Sequence, residues 1–282
     1  MTQIIRTIRE VREFVKDCHR RDGKVGFVPT MGAFHSGHLS LMRQARRDCD
    51  AVIVSIFVNP LQFSAGEDYD QYPRQMDRDV KMAESEKVDI LYCPEVAEMY
   101  PKGFDTYVDQ GENGLPSKLC GSFRPGHFRG VMTVVCKLFN MVRPDMAYFG
   151  QKDYQQFLIT RRMTIDLNLD VDVRLLDTVR EEDGVAMSSR NIYLGPKQRK
   201  DAICLHQALR RAEEMIGNGE SSAAKVMTEM KRVIHRVKGA KIDYIAVVNS
   251  ETLEPLKEIK GKTLIALAVR IGKARLIDNV LA

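Results

Sequence analysis

The 282-residue chain has no tryptophan and no Cys-x-x-Cys pair, and its longest apolar stretch, Ala51 to Val58, is broken by Ser55. Each of these absences removes a class of protein. A bilayer needs about 20 consecutive apolar residues, so no transmembrane helix and no membrane partner are expected. The first twenty residues scatter Arg6, Arg9, Glu10, Arg12, Glu13, Lys16 and Asp17 through a helical pattern, which leaves no apolar core for a secretory signal. A cytoplasmic location is the expectation. The six cysteines (Cys18, Cys49, Cys93, Cys120, Cys136, Cys204) are dispersed, so neither a zinc site nor a redox dithiol is supported, and they read as buried free thiols. Repeats and low-complexity segments are also missing. With 44% apolar and 29% charged residues, the composition is that of an ordinary globular chain.

Charge is nearly balanced, with 43 Lys+Arg against 38 Asp+Glu and a net charge of +5. Residues 1–176 carry 24 of each sign and residues 177–282 carry 19 against 14, so the whole excess lies in the C-terminal third. A mildly basic third can face phosphates or nucleic acid, or be a solvated surface, and charge alone does not choose. Zinc-finger spacing, an RNP aromatic motif and a basic run with interleaved aromatics are all absent. No nucleic-acid partner is therefore expected.

Short apolar runs alternate with longer helical patterns, the signature of a parallel sheet wrapped by helices. Val25–Pro29, Ala51–Val58, Asp89–Cys93, Met146–Phe149 and Val171–Val179 read as strands. Helices are expected near 38–48, 75–87, 130–142 and 153–167. Pro196 then opens a helix closed by Gly217-Asn218-Gly219, and Ser221 or Ser222 caps another running to about Val237. Lys241–Asn249, Thr263–Ile271 and Lys273–Asp278 read as a short antiparallel sheet. The fold class is thus α/β, a Rossmann-like doubly wound parallel sheet with a smaller C-terminal α+β domain. The boundary falls at residue 177, giving domains 1–177 and 178–282.

The most informative stretch is Pro29-Thr30-Met31-Gly32-Ala33-Phe34-His35-Ser36-Gly37-His38-Leu39, between a strand and a helix. In open α/β sheets ligands bind at carboxyl ends of strands, where helix N-termini present unpaired amides. Gly32 allows close approach of the backbone, and Gly37 lets a ligand lie on the first helical turn. His35 and His38, three residues apart, share a helix face and can donate to phosphate oxygens. This is neither the Gly-x-Gly-x-x-Gly dinucleotide turn nor a Walker loop. Asn59-Pro60-Leu61-Gln62 forces a turn after the second strand, since proline cannot continue a central strand. Gly150-Gln151-Lys152-Asp153 ends another strand, with Lys152 able to neutralise phosphate and Asp153 able to accept from a ribose or cap the helix. Gln156 shares their face. Met187-Ser188-Ser189-Arg190 is a polar loop at the domain boundary. Residues 115–130, rich in Gly and Pro, read either as a flap near the site or as a basic surface loop.

The His-x-Gly-His block, with Pro-Thr-Met-Gly before it, resembles the HxGH signature of the nucleotidyl-transferase superfamily and, within it, the pantothenate synthetase (pantoate–β-alanine ligase) family. The likeness continues through Val54–Phe63, Tyr72-Pro73-Arg74, Arg124–Val131, Phe149–Gln156 and Met187–Asn191, in family order over roughly residues 25–195. It implies an ATP-dependent ligase that condenses (R)-pantoate with β-alanine through a pantoyl adenylate, releasing AMP and pyrophosphate. By the same resemblance ATP is held by Met31, Gly32, His35, Gly37, His38, Gly150, Gln151, Lys152, Asp153, Val179, Met187, Ser188, Ser189 and Arg190. Pantoate is held by Gln62, Asn59 and Gln156, with β-alanine beside Gln62. His38, His35 and Lys152 are the catalytic candidates, and His38 is also the candidate proton donor to the leaving group. Mg2+ on the pyrophosphate moiety is expected, without protein metal ligands. So is a homodimer, formed through the apolar face around Val52–Ile56 or the neighbouring helices. The competing enzymatic reading is a nucleotidyltransferase that passes AMP or CMP to a phosphate.

Overall fold

The computed structural model describes residues 1–64, 66–111 and 113–282. Six strands form one parallel sheet: β1 (Gln3–Ile5), β2 (Val25–Thr30), β3 (Ala51–Ile56), β4 (Ile90–Tyr92), β5 (Met146–Gly150) and β6 (Asp172–Leu176). They run in the order β1-β4-β3-β2-β5-β6. Alternation along each strand shows why the sheet is covered twice. Val25, Phe27, Ile53, Ile90, Tyr92 and Phe149 join one apolar cluster, while Val28, Val52, Val54, Leu91 and Tyr148 join another. Side chains alternate with period two, so near-continuous apolar runs supply two cores at once.

The helices are α1 (Ile8–His19), α2 (Ser36–Asp48), α3 (Met76–Ser85), α4 (Val96–Met99), α5 (Cys120–Phe123), α6 (His127–Val142), α7 (Tyr154–Asp166), α8 (Pro196–Gly217) and α9 (Ala223–Ile234). α1, α6 and α7 pack on the first face and α2 with α3 on the second. α1 starts at a complete capping box, Thr7 with Glu10. α9 is capped by Ser222, whose hydroxyl accepts from the Lys225 N–H, and it ends at Ile234, short of Val237.

The C-terminal part folds as an antiparallel sheet of β7 (Lys241–Asn249), β8 (Thr263–Ile271) and β9 (Ala274–Leu281) in sequential order. Ile265, Leu267 and Val269 face α8 and α9, whereas Leu264, Ala266 and Val248 join the larger core. One face of the small sheet therefore docks against the parallel-sheet body, leaving a cleft between the two.

Several expectations are corrected. β1, three residues long, has no periodicity to announce it and forms through its pairing with β4. β3 stops at Ile56, before the Asn59-Pro60 turn, and β6 stops at Leu176 rather than Val179. β3 is also flanked by β2 and β4, with Val52, Ile53 and Val54 fully buried, so its apolar face is core and no dimer interface. The order of the sheet reverses between β2 and β5, which pair through Gly26–Met146 and Phe27–Ala147. Ligands in open α/β sheets bind at such a reversal, beyond the carboxyl ends of the strands. The turn after Thr30 and the turn after Gly150 both lie there.

Candidate active site

After β2 the chain makes a turn that few sequences tolerate. Gly32 (φ +79°) and Ala33 (φ +52°) are both left-handed, and α2 then starts with His35 as N-cap. The Gly37 N–H donates to His35 Nδ1 at 3.2 Å, which makes Nδ1 an acceptor and leaves the hydrogen on Nε2. A Cβ on Gly37 would sit 3.0 Å from that ring, so glycine here makes room for the imidazole itself. The His35 and His38 rings lie 4.1 Å apart at 32°, and His38 Nδ1 is buried with no partner. Burial, followed by the Lys152 charge, lowers His35 to about 4. Burial, then His35 and Lys152, keeps His38 well below its ordinary value. Both imidazoles are neutral at pH 7. Burial thus favours a neutral His38 that still carries one ring N–H.

The Gly150 turn faces this pair. A Cβ on Gly150 would meet no atom, so the space over it is open to a ligand. Lys152 Nζ contacts the Asp153 carboxylate at 3.2 and 3.3 Å. Asp153 makes no side-chain cap bond to α7, which removes the capping alternative. Gln151 is drawn away, its carbonyl accepting from Asn279 Nδ2 at 2.8 Å.

Gln62 and Asn59 lie on the neighbouring turn, and both are buried. Asn59 Nδ2 donates to Gln62 Oε1 (3.1 Å) and Gly130 O (3.0 Å), while Asn59 Oδ1 accepts from Tyr100 Oη (2.8 Å) and the Leu61 N–H (3.2 Å). Both polar atoms of the Asn59 side chain are thus engaged by protein. It stands behind Gln62 as a support, and Gln62, Gln156 and Met31 line the cavity. Gln62 Nε2 contacts Met31 Sδ at 2.9 Å.

The boundary loop closes the other side. Ser188 caps a 3-10 turn, Ser189 Oγ donates to Ala33 O at 3.2 Å, and the Met187 N–H donates to Val179 O at 2.9 Å. Arg190 is held by Asp68 through two bonds of 2.8 Å, over the Tyr72 ring. These residues enclose an inner cavity of about 220 Å³ that opens into an interdomain cleft of about 720 Å³. Lys152, Asp153, Gln156, Ser188 and Arg190 line both. Together the volumes suit a nucleotide with a small acid beside it.

Four contributions were not legible in the sequence. Asp79 of α3 accepts from the Ala33 N–H (2.8 Å) and Phe34 N–H (2.7 Å), behind the phosphate turn. Arg124 pairs with Glu67 (2.7 and 2.6 Å) and donates to His127 Nε2 (2.9 Å), while His127 Nδ1 donates to Gln62 O (2.7 Å). Gln155 binds Leu115 O, Lys118 O and the Cys120 N–H. The 115–130 segment is therefore a folded wall carrying α5, tied to α7, and not a free flap. Finally, Thr178 Oγ1 is buried without a partner and lines the inner cavity. Asp79 looks in sequence like its neighbour Asp77, and only burial separates the two.

A sequence profile described as Pantoate-beta-alanine ligase matches residues 3–281. The chain is 54% identical over 278 residues to the pantothenate synthetase of Heliobacterium modesticaldum, covering 99% of this chain and 98% of that one. Its fold is similar to the crystal structure of pantothenate synthetase from Thermus thermophilus, with TM-score 0.94, 46% identity and 99% of each chain covered. It is similar also to the pantoate-beta-alanine ligase of Francisella tularensis, whose crystal structure is a complex with beta-gamma ATP and beta-alanine. There the TM-score is 0.83 at 34% identity, over 100% of this chain and 98% of that one.

Proposed function

The chain belongs to the pantoate-beta-alanine ligase family, and from that membership we propose how its own residues divide the work. The enzyme condenses pantoate with β-alanine at the expense of ATP, giving pantothenate, AMP and pyrophosphate through a pantoyl adenylate. One observation carries the assignment of residues: the imidazoles of His35 and His38 and the Lys152 ammonium line one cavity at the point where the strand order reverses.

The pantoate carboxylate attacks the α-phosphorus of ATP, forming the P–O bond of the adenylate as the bond to pyrophosphate breaks. Negative charge grows on the phosphate oxygens. His35 Nε2–H, His38 and Lys152 are placed to stabilise it, with Arg190, Ser188 and Ser189 toward the pyrophosphate. Met31, Gly37, Gly150, Asp153, Val179 and Met187 form the rest of the nucleotide cradle, with Gly32 shaping the turn behind it and Gln151 turned to Asn279 instead. Gln62 and Gln156 hold pantoate, Asn59 fixes Gln62, and β-alanine enters beside Gln62. Its amine then attacks the activated carbonyl and expels AMP.

Holding carboxylate and phosphorus in register is worth up to about 7–11 kcal/mol. Acid–base assistance of about 10²–10⁴-fold amounts to about 3–5 kcal/mol. Positioning therefore outweighs proton transfer, which agrees with imidazoles that stay neutral. Among the described residues no group of three or more His, Cys, Asp or Glu can hold a metal ion. On this reading a Mg2+ ion would be carried on phosphate oxygens and water, as suits a hard cation.

The domains 1–177 and 178–282, a homodimer and a cytoplasmic location complete the reading. No helix among the described residues is long and apolar enough to cross a membrane. The test is single-turnover adenylate formation by His38→Ala. A fall of about 10²–10³-fold is expected from losing a preorganised donor, and an unchanged rate would remove His38 from the mechanism.

A further inference from the structure

We infer that Asp79 is the positioning residue of the imidazole pair. Its carboxylate fills, from inside the protein, the concavity of backbone amides that the Gly32–Phe34 turn creates. The inference rests on the reading that His35 and His38 serve adenylation.

The Gly32–Phe34 turn points the Ala33 and Phe34 N–H groups toward one place, and a concavity of backbone amides in a turn binds anions. Here the hollow is occupied by the chain's own anion. Asp79 Oδ2 accepts from the Ala33 N–H at 2.8 Å and Oδ1 from the Phe34 N–H at 2.7 Å, one oxygen to each amide. Asp79 is 1% exposed, so water does not compete. Charge-assisted bonds to buried amides are the strong kind, and without them two buried N–H groups would be left without a partner. Ala33 adds its own demand: a non-glycine residue at φ +52° persists only where its surroundings hold it there. A Cβ on Gly32 would stand 3.0 Å from Asp79 Oδ2, so the glycine also admits the carboxylate.

The bracing reaches the reacting groups within a few residues. Phe34 is buried, and its ring meets the His38 ring at 5.6 Å between centroids. His35 follows Phe34 directly and caps α2. Fixing the 33–34 peptides therefore fixes the entry of α2 and both imidazoles. It also means that the Ala33 and Phe34 amides are not available to a phosphate, so the nucleotide is met by side chains and the α2 N-terminus. Burial pushes the Asp79 carboxyl up, while the Phe34 and Ala33 N–H bonds pull it down.

The experiment uses the full chain as Asp79→Ala and Asp79→Asn, with added formate as the probe anion. Three readouts are taken: the imidazole resonances of His35 and His38, single-turnover adenylation, and the attack of β-alanine on preformed pantoyl adenylate. In Asp79→Ala both imidazoles shift, adenylation falls about 10²-fold as expected for an ångström-scale misplacement, and the second step is unchanged. Formate restores both the resonances and the rate in part. Asp79→Asn, which keeps the volume but turns one donor against an amide, shows the same loss in milder form without formate rescue, and it answers the question should Asp79→Ala fail to fold. Imidazole resonances at their parental positions in a folded Asp79→Ala, formate without effect on its loss, or a parental adenylation rate in Asp79→Asn overturns the inference. Imidazoles that move while adenylation holds in both Asp79→Ala and His38→Ala would leave the bracing standing and contradict the assignment of the imidazoles to adenylation.

Discussion

His127 shows how a single side chain is fixed in one protonation state by groups far away in sequence. Its Nδ1–H donates to Gln62 O and its Nε2 accepts from Arg124, so a second ring proton has nowhere to go. Burial, then the Arg124 charge, lowers it to about 3. Between pH about 6.5 and about 3 the unfolded chain binds a proton that the folded chain refuses, so stability is present above that window and is lost as pH falls through it. At about 1.4 kcal/mol per unit, the effect is on the order of a few kcal/mol. Urea unfolding from neutral to acid pH should show a steep decline for the parent and a shallower one for His127→Gln; equal slopes would contradict the assignment. The sequence offered His127 and Arg124 as members of a block shared with the family and as basic residues in a loop rich in Gly and Pro, with no role for either. Their roles depend on Glu67 and Gln62, which no local pattern links to them. His35, His38 and Lys152 were legible for the opposite reason: each sits within a few residues of a strand end.

At the scale of elements, apolar alternation made the long strands readable. β7 and β8 fall at their expected limits, and α2, α3 and α7 within about two residues, the usual uncertainty of a helix end. α6 departs more, starting at His127 rather than near 130. Gly126 (φ +81°) turns the chain into it, and a glycine there reads equally well as part of a loop. Twelve of its sixteen residues are buried, which is the condition of a helix packed on nearly all sides. Gly130 is why it can lie so close to the Asn59–Gln62 turn: a Cβ would stand 2.2 Å from Leu61 O. Gly130→Ala must push the helix and turn apart, costing about 1–3 kcal/mol as overpacking does. Because Asn59 and Gln62 move with the turn, KM for pantoate should rise more than KM for ATP. Thermal unfolding and steady-state kinetics check both, and a parental melting temperature would refute the close approach.

On the scale of the whole molecule, the proposed site is a cleft between a doubly wound sheet and a smaller body docked on it. Much of the arginine in the C-terminal third, which could have signalled a polyanion surface, is paired within that body, although its net excess of cations remains. Arg180 pairs with Asp278, Arg199 with Glu181 and Asp183, Arg211 and Arg232 with Glu229, and Arg270 and Arg275 with Asp243. Arginines paired in this way are not free to serve as a polyanion surface, and Lys152 and Arg190, which line the cleft at its border, are the cations assigned to phosphate in the proposed function. This division could not be read from charge counts, because pairing is decided by the fold. The central claim is that the cleft activates the pantoate carboxylate as an acyl adenylate before any amine takes part. Exchange of labelled pyrophosphate into ATP, measured with pantoate present and β-alanine omitted, tests it most directly. Exchange should proceed with pantoate alone, and adding β-alanine should divert it into AMP and pantothenate in equal amounts. No exchange until β-alanine is added, or a product in which the nucleotide has passed to a phosphate acceptor, would contradict the account.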